Sequence, residues 1–195
     1  MLKGIFVEAS EGQGAGGRWR IRVIQAGLSN NVNFYPDAAL KAAVPLFEGV
    51  RVFVKSDQEH LRGEGKDFRN LIGRLVNVAF VASTEQDRGE LHADLELLEP
   101  EGPIGAKLEA ARERGMTDLF GFSIDAMAKA EKGRLGNQPV RIAKEFTAVK
   151  SVDLIVEPGA GGQVLTFTDT TGTNDMKKIS ADQARNQVEA STLRN

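Results

Sequence analysis

Short segments in which apolar and polar residues alternate recur through most of this chain, and they constrain its fold more than any other feature. In WRIRVIQA (19–26), the tryptophan, isoleucine and valine fall on one face and the two arginines on the other, as in a half-buried β-strand. Further strand-like segments are Val50–Val54, Leu71–Ala82, Leu91–Leu98, Leu119–Met127, Val140–Phe146 and Val149–Val156. About seven strands with this alternation, joined in part by hairpin-like turns, predict a mostly antiparallel sheet.

Two segments have the pattern of helices. Asp37–Ala43 follows Pro36, which suits the start of a helix, and we expect Pro45 to end it. Pro103–Arg114 has an apolar stripe along one side and a glycine after its last residue. The predicted fold class is therefore α+β, a closed or nearly closed and mostly antiparallel β-barrel flanked by a few helices.

Composition divides the chain into three parts. Residues 1–17 are rich in glycine and poor in apolar residues, which predicts a flexible N-terminal arm. Residues 18–162 hold the strands and helices and form the predicted domain. Residues 163–195 read as a Thr-rich linker followed by a polar helical tail. The sequence has no apolar run of about 18 residues, so no membrane-spanning helix is expected.

The scarcity of histidine and cysteine narrows the possible chemistry. The chain has no Cys and only two His, His60 and His92, which excludes disulfides, thiolate metal sites and a cysteine nucleophile. The 25 basic and 27 acidic residues give a formal net charge of −2, which argues against binding that depends on neutralising nucleic-acid phosphates. We expect no metal, no organic cofactor, no nucleic-acid partner and no membrane partner.

The two histidines differ in their surroundings. His60 lies in the polar loop Lys55–Lys66, directly after a strand, where it is either a solvent-exposed side chain or a general base on a rigid support. His92 lies in LHADLELL (91–98), where alternation places it with Asp94 and Glu96 on a face that we expect to be solvated.

Ser123 and Asp153 are the other candidates. Alternation places Ser123 and Asp125 on the face opposite Phe122, so Ser123 is either an ordinary strand serine or a nucleophile held on a strand. Asp153 lies within an apolar strand, where a carboxylate must face water or have a partner such as an imidazole. A hydroxyl, a base and an acid are the groups that a serine hydrolase needs, in any chain order.

Several segments, taken in order, resemble the bacteriophage prohead (capsid maturation) proteases, serine peptidases related to herpesvirus assemblin. The segments are NFYPDAAL (33–40), VRVFVKSDQEH (50–60), LIGRLVNVAF (71–80), LHADLELLEP (91–100), GFSIDA (121–126) and VKSVDLIVEPGAGG (149–162). The resemblance covers residues 18–162 and implies an assemblin-like β-barrel flanked by helices. It assigns Ser123 as nucleophile and His60 as base. No His follows Ser123, so the Ser-His-His version cannot apply; Asp153 matches the acid of the phage branch, with Asp125 and Glu145 as alternatives.

The resemblance also implies a biological role. It implies a serine endopeptidase that processes capsid and scaffold proteins, and itself, inside the assembling prohead in the host bacterial cytoplasm, as a homo-oligomer. The tail would be a scaffold junction or a propeptide, or have no role. Arg141 and Lys144 are candidates for a basic group in the oxyanion hole. The alternatives are a catalytically silent scaffold or capsid-assembly module with the same fold, and an unrelated β-barrel binding module.

Overall fold

The computed structural model describes residues 18–116 and 119–156 in full, and only the backbone of 6–8, 165–169 and 177–178. Its helices are α1 (Asp37–Phe47), α2 (Asp57–Arg62) and α3 (Pro103–Glu113), with a short 3₁₀ helix at Phe68–Asn70. Its strands are β1 (Phe6–Glu8), β2 (Arg18–Gln25), β3 (Gly27–Leu28), β4 (Asn33–Tyr35), β5 (Arg51–Val54), β6 (Leu71–Val81), β7 (Glu90–Leu97), β8 (Gly121–Leu135), β9 (Gln138–Ile155), β10 (Leu165–Asp169) and β11 (Lys177–Lys178). The expected N-terminal arm and C-terminal tail lie for the most part outside the described residues.

The strands form one mixed sheet that curls into a half-barrel. Along the sheet the order is β1-β2-β7-β6-β5-β9-β4-β3, and β8 pairs with the other side of β9. Neighbours are antiparallel in most pairs, but β4 and β5 run parallel to β9, and β10 and β11 run parallel to β8. The α+β class with few helices is confirmed; where a closed or nearly closed barrel was expected, the sheet is a curled half-barrel.

The core lies inside the curl of the sheet, where α1 packs. Leu40 and Phe47 of α1 are fully buried and share this core with Ile21, Leu75 and Val152 from the sheet. The inward positions of β2 and β7 are those that alternation predicts, because side chains two residues apart face the same way. A smaller apolar cluster surrounds Phe34 near the turn that joins β8 to β9.

Three local expectations were wrong. Helix α1 continues through Pro45 to Phe47, because burial of Phe47 holds the last turn although proline donates no hydrogen bond. The loop 55–66 contains helix α2. Strands β8 and β9 are longer than expected: a two-residue turn at Gly136 and Asn137, with Gly136 at φ +57°, joins them into one hairpin interrupted by bulges.

Candidate functional site

A buried carboxylate lies at the centre of the candidate site. Asp153, near the end of β9, has no solvent exposure, and its Oδ2 accepts hydrogen bonds from two side chains. His60 Nδ1 lies 2.6 Å from Oδ2, and Lys55 Nζ lies 2.8 Å from the same oxygen. Since an ionised carboxylate only accepts hydrogen bonds, Nδ1 of His60 carries a proton and donates it to Oδ2. The Asp153–His60 contact therefore has the geometry of a carboxylate that orients an imidazole.

Helix α2 delivers His60 to this carboxylate. Its start is a capping box, in which the Ser56 hydroxyl accepts from the Glu59 N–H and the Glu59 carboxylate accepts from the Ser56 N–H. Gly63 ends it at φ +67°, a conformation that glycine adopts without a steric penalty. With both ends defined, six residues form a helix and His60, only 3% exposed, points away from solvent.

Ser123 lies directly across from Asp153. The two residues are register partners in the β8–β9 pair, so their side chains are on the same face of the sheet. Ser123 is 9% exposed. His60 Nε2, the nitrogen that would accept a proton from Ser123, is buried without a hydrogen-bond partner among the described residues. Asp153 therefore lies next to both other predicted residues: it is hydrogen-bonded to His60 and is opposite Ser123. Ser123 and His60 are not hydrogen-bonded to each other in the described structure.

The electrostatics of the site favour an ionised Asp153. Burial raises the pKa of the Asp153 carboxyl, but hydrogen bonds from His60 and Lys55, together with the charge of Lys55, outweigh it. The net result is a pKa below the usual range of an aspartate. Ionised Asp153 and cationic Lys55 balance each other, so a neutral His60 leaves the three groups with no net charge.

Lys55 is the residue of this site that sequence reasoning missed. The sequence pattern assigns Lys55 to the polar loop, yet its side chain is fully buried. Its position directly after β5 could have indicated this burial. Alternation puts residue 55 on the same face as Phe53, and Phe53 is the register partner of Asp153. Finding it required knowing that β5 lies beside β9, which strand patterns alone do not reveal.

The competing acids bind lysines instead of histidine. Asp125 Oδ2 accepts from Lys66 Nζ at 2.5 Å, and Glu145 accepts from Lys129 at 2.8 Å on the surface. Within the described part of the chain, His60 is hydrogen-bonded to Asp153 and to neither of these carboxylates, so Asp153 is the acid paired with this histidine.

His92 is not solvated, contrary to expectation. It is 9% exposed and lies between β2 and β6, opposite Arg22 and Ala79, with its Nε2 2.6 Å from a Glu90 oxygen. The reason is that β7 is an inner strand with a neighbour on each side, and the Arg22 and Glu90 side chains beside His92 are hydrogen-bonded to each other. His92 lies on a different part of the sheet from Ser123.

Arg141 and Lys144 do not reach Ser123. Arg141 is opposite Lys132, towards the far end of the β8–β9 hairpin, and Lys144 lies 3.5 Å from Glu131. At about 3.3 Å per residue, these positions are about 20 Å or more along the strand from Ser123. Their proposed part in an oxyanion hole is wrong.

An apolar groove of about 350 Å³ lies between α3 and the ends of β5 and β9. Its lining includes Leu108 and Ala111 from α3, Phe120 before β8, and Ile155 from β9, with Lys107 and Arg114 also in contact. Lys55 belongs both to this lining and to the Asp153 cluster. The groove is therefore adjacent to the candidate site.

No protein-family model matches this chain, and no significant match was found among curated proteins or among solved structures. Within the described part of the chain, no three His, Asp or Glu side chains cluster in a way that would hold a metal ion. None of the helices in that part is both long and apolar enough to cross a membrane.

Proposed function

We propose that this protein is a serine endopeptidase in which Ser123 is the nucleophile, His60 the general base and Asp153 the residue that orients the base. The observation that carries the proposal is the buried 2.6 Å contact between His60 Nδ1 and Asp153 Oδ2, with Ser123 directly across the sheet from Asp153. A histidine oriented by a buried carboxylate beside a serine is the arrangement that acyl transfer requires.

The first half of the reaction forms an acyl-enzyme. Ser123 Oγ attacks the peptide carbonyl carbon while His60 Nε2 accepts the hydroxyl proton. Asp153 stabilises the resulting imidazolium through Nδ1–H and remains ionised. The tetrahedral intermediate then collapses: the C–N bond breaks, and His60 returns the proton to the departing amine.

The second half regenerates the enzyme. A water molecule attacks the acyl carbon, His60 Nε2 takes its proton, and the C–O bond to Ser123 breaks as the proton passes back to Oγ. Before the first step, Ser123 Oγ and His60 Nε2 must come within about 3 Å. Because catalytic hydrogen bonds are often formed only in the substrate complex, the open contact in this structure is compatible with that requirement.

The substrates that we propose are capsid and scaffold proteins of an assembling bacteriophage prohead, and the protein itself. This part of the proposal is supported by the ordered sequence segments that resemble prohead proteases, above all GFSIDA (121–126) and VKSVDLIVEPGAGG (149–162). It places the protein in the host bacterial cytoplasm, inside the prohead, as a homo-oligomer.

Ser123→Ala tests the proposal directly. The wild type and the variant are each coexpressed with the proposed substrates, the scaffold and capsid proteins of the same phage, and the products are mapped by mass spectrometry. We expect cleavage of scaffold and of the protein itself only with the wild type. Ser151→Ala is a matched control, since Ser151 is a buried serine of β9 that is register partner to Asp125 rather than to Asp153. Equal cleavage by wild type and Ser123→Ala would refute the proposal.

A second candidate function is a capsid-assembly module that has the same fold but cleaves no substrate. The observation that favours it is His60 Nε2, which has no hydrogen bond to Ser123 in the described structure. The same coexpression distinguishes the two, because a silent module supports particle assembly equally well as wild type and as Ser123→Ala and leaves scaffold intact in both.

A further inference from the structure

Lys55 is a buried cation at the candidate site. Its backbone N–H continues the β5–β9 pairing by donating to the Leu154 carbonyl, which fixes where the side chain begins. Its Nζ lies 2.8 Å from Asp153 Oδ2 and 5.7 Å from the centre of the Phe53 ring. A fully buried ammonium group is costly unless it is paired, so this placement requires the carboxylate.

Asp153 holds His60 and Lys55 with one oxygen atom. Both hydrogen bonds end on Oδ2, whereas Oδ1 has no hydrogen-bond partner within the described residues. Proton position on His60 is therefore coupled to the Lys55 charge through a single atom. In a triad without such a cation, the carboxylate charge acts on the imidazole alone.

Of the other charged groups near this cluster, two are already paired, and Lys107 and Arg114 of the adjacent groove are exposed to solvent. Lys66 from the loop after α2 is paired with Asp125 of β8. Glu59 of α2 is half-buried and accepts hydrogen bonds from the hydroxyl and N–H of Ser56. Ser123 of β8 is uncharged. Lys55 is thus the cation that balances Asp153.

We propose that Lys55 is a positioning residue of the peptidase site, whose ammonium group balances the Asp153 carboxylate so that the resting site holds an ionised Asp153 and a neutral His60. This inference rests on the proposed peptidase function. A neutral His60 keeps Nε2 available to accept the Ser123 proton at a pH where an uncompensated Asp153–His60 pair would already have bound a proton.

The physical consequence is a change in proton affinity. An opposite charge within about 4–6 Å lowers the proton affinity of a carboxylate by roughly 1–3 pH units. Without Lys55, the Asp153–His60 pair therefore takes up a proton at higher pH, and the base is blocked over a wider acidic range. The titration belongs to the pair as a whole, because the two groups are strongly coupled.

NMR titration of the imidazole signals tests this without any requirement for activity. The chain has only two histidines, so His60 is assigned by comparison with His60→Gln, and His92 serves as an internal reference. We expect Lys55→Met to raise the midpoint of the His60 signal by about one pH unit or more. Lys55→Arg, which keeps the charge, and Lys129→Met, which removes a surface cation paired with Glu145, should leave it within about 0.3 unit of wild type.

A second variant covers the case in which Lys55→Met does not fold. Lys55→Gln removes the charge but keeps a side-chain N–H donor at this position. If Lys55 acts by its charge, the His60 midpoint rises in Lys55→Gln as it does in Lys55→Met. A midpoint equal to that of wild type in whichever of the two variants folds would overturn the proposal and leave Lys55 a packing residue.

The pH dependence of Ser123 phosphonylation by a phosphonate probe separates this inference from the proposed function. Ser123 Oγ bonds to the probe's phosphorus as the leaving group departs, and His60 accepts the hydroxyl proton. If the proposal is correct, the pH at which the phosphonylation rate falls off on the acidic side rises in Lys55→Met together with the NMR midpoint. Phosphonylation of Ser123 with the same acidic fall-off as in wild type would overturn the role of Lys55 while the peptidase stands. A shifted NMR midpoint with no phosphonylation would overturn the peptidase, and with it the role assigned to Lys55 in it.

Discussion

Asp153 decides which groups of the candidate site are charged. Burial alone would favour its protonated form, but two hydrogen bonds from His60 and Lys55 stabilise the carboxylate more strongly. The folded state therefore binds this proton less tightly than the unfolded chain, where an aspartate has a pKa of about 3.9. Acidification must then destabilise the fold through this residue.

Stability against pH measures that effect. Because its pKa is lowered on folding, Asp153 contributes stability that is present above about pH 5 and is lost as pH falls through its folded pKa. We expect the difference in unfolding free energy between wild type and Asp153→Asn to shrink from pH 5 to pH 3 in urea titrations. Asp67→Asn is the control: Arg69 lowers the pKa of Asp67 to about 2, but this pair is exposed and should contribute little. A difference that grows towards pH 3 would contradict the assigned sign.

At the level of residues, the sequence left few candidates for the chemistry. Two histidines and no cysteine reduced the candidate bases to His60 and His92, and strand alternation placed Ser123 and Asp125 on one face. Sequence reasoning failed for Lys55 and for the burial of His92, because both depend on which strand lies next to which. Some neighbouring strands of this sheet, such as β5 and β9 or β2 and β7, are far apart in the sequence.

At the scale of elements, the short helix α2 determines where His60 lies. Six residues are too few for an apolar period to be recognisable, so the segment looked like a loop. Its ends nevertheless carried local signals: Ser56 with Glu59 forms the capping box, and Gly63 ends the helix with its N–H donated to carbonyls of Glu59 and His60.

Gly63→Ala tests the link between this helix end and His60. A residue other than glycine at φ +67° lowers the stability of the fold by about 1 kcal/mol. The added Cβ itself has room, because its nearest neighbour is Asp125 Oδ2 at 3.8 Å. Gly49→Ala is a matched control with φ +73° and open space around the Cβ. We expect both variants to lose about 1 kcal/mol in urea unfolding, but only Gly63→Ala to shift the His60 imidazole signals. Identical His60 signals in the two variants would show that the helix end does not hold His60.

At the scale of the whole molecule, the curled sheet brings together residues from three separate stretches of chain. Lys55 directly follows β5 and His60 lies on α2. Ser123 lies on β8, and Asp153 lies on β9, which is paired with both β5 and β8. The α+β class and most strands followed from alternation. The parallel pairing of β5 with β9 did not, since it leaves no periodic signal in the residues of either strand.

This arrangement makes a prediction that single elements do not. Ser123 on β8 and His60 on α2 act together only because both lie next to β9. Loss of His60 should therefore abolish the reactivity of the Ser123 hydroxyl without altering the fold. Loss of His92, which lies elsewhere on the sheet and is paired with Glu90, should leave Ser123 reactive in whatever fraction of the variant remains folded.

The most direct measurement is site-mapped labelling by a serine-directed phosphonate, performed on assembled particles and read by mass spectrometry. We expect one adduct, on Ser123, in wild type and in folded His92→Ala. We expect no adduct in Ser123→Ala or in His60→Ala. Circular dichroism confirms that each variant is folded. Absence of the Ser123 adduct in assembled wild type, or its persistence in folded His60→Ala, would contradict the assignment of Ser123 and His60 as nucleophile and base.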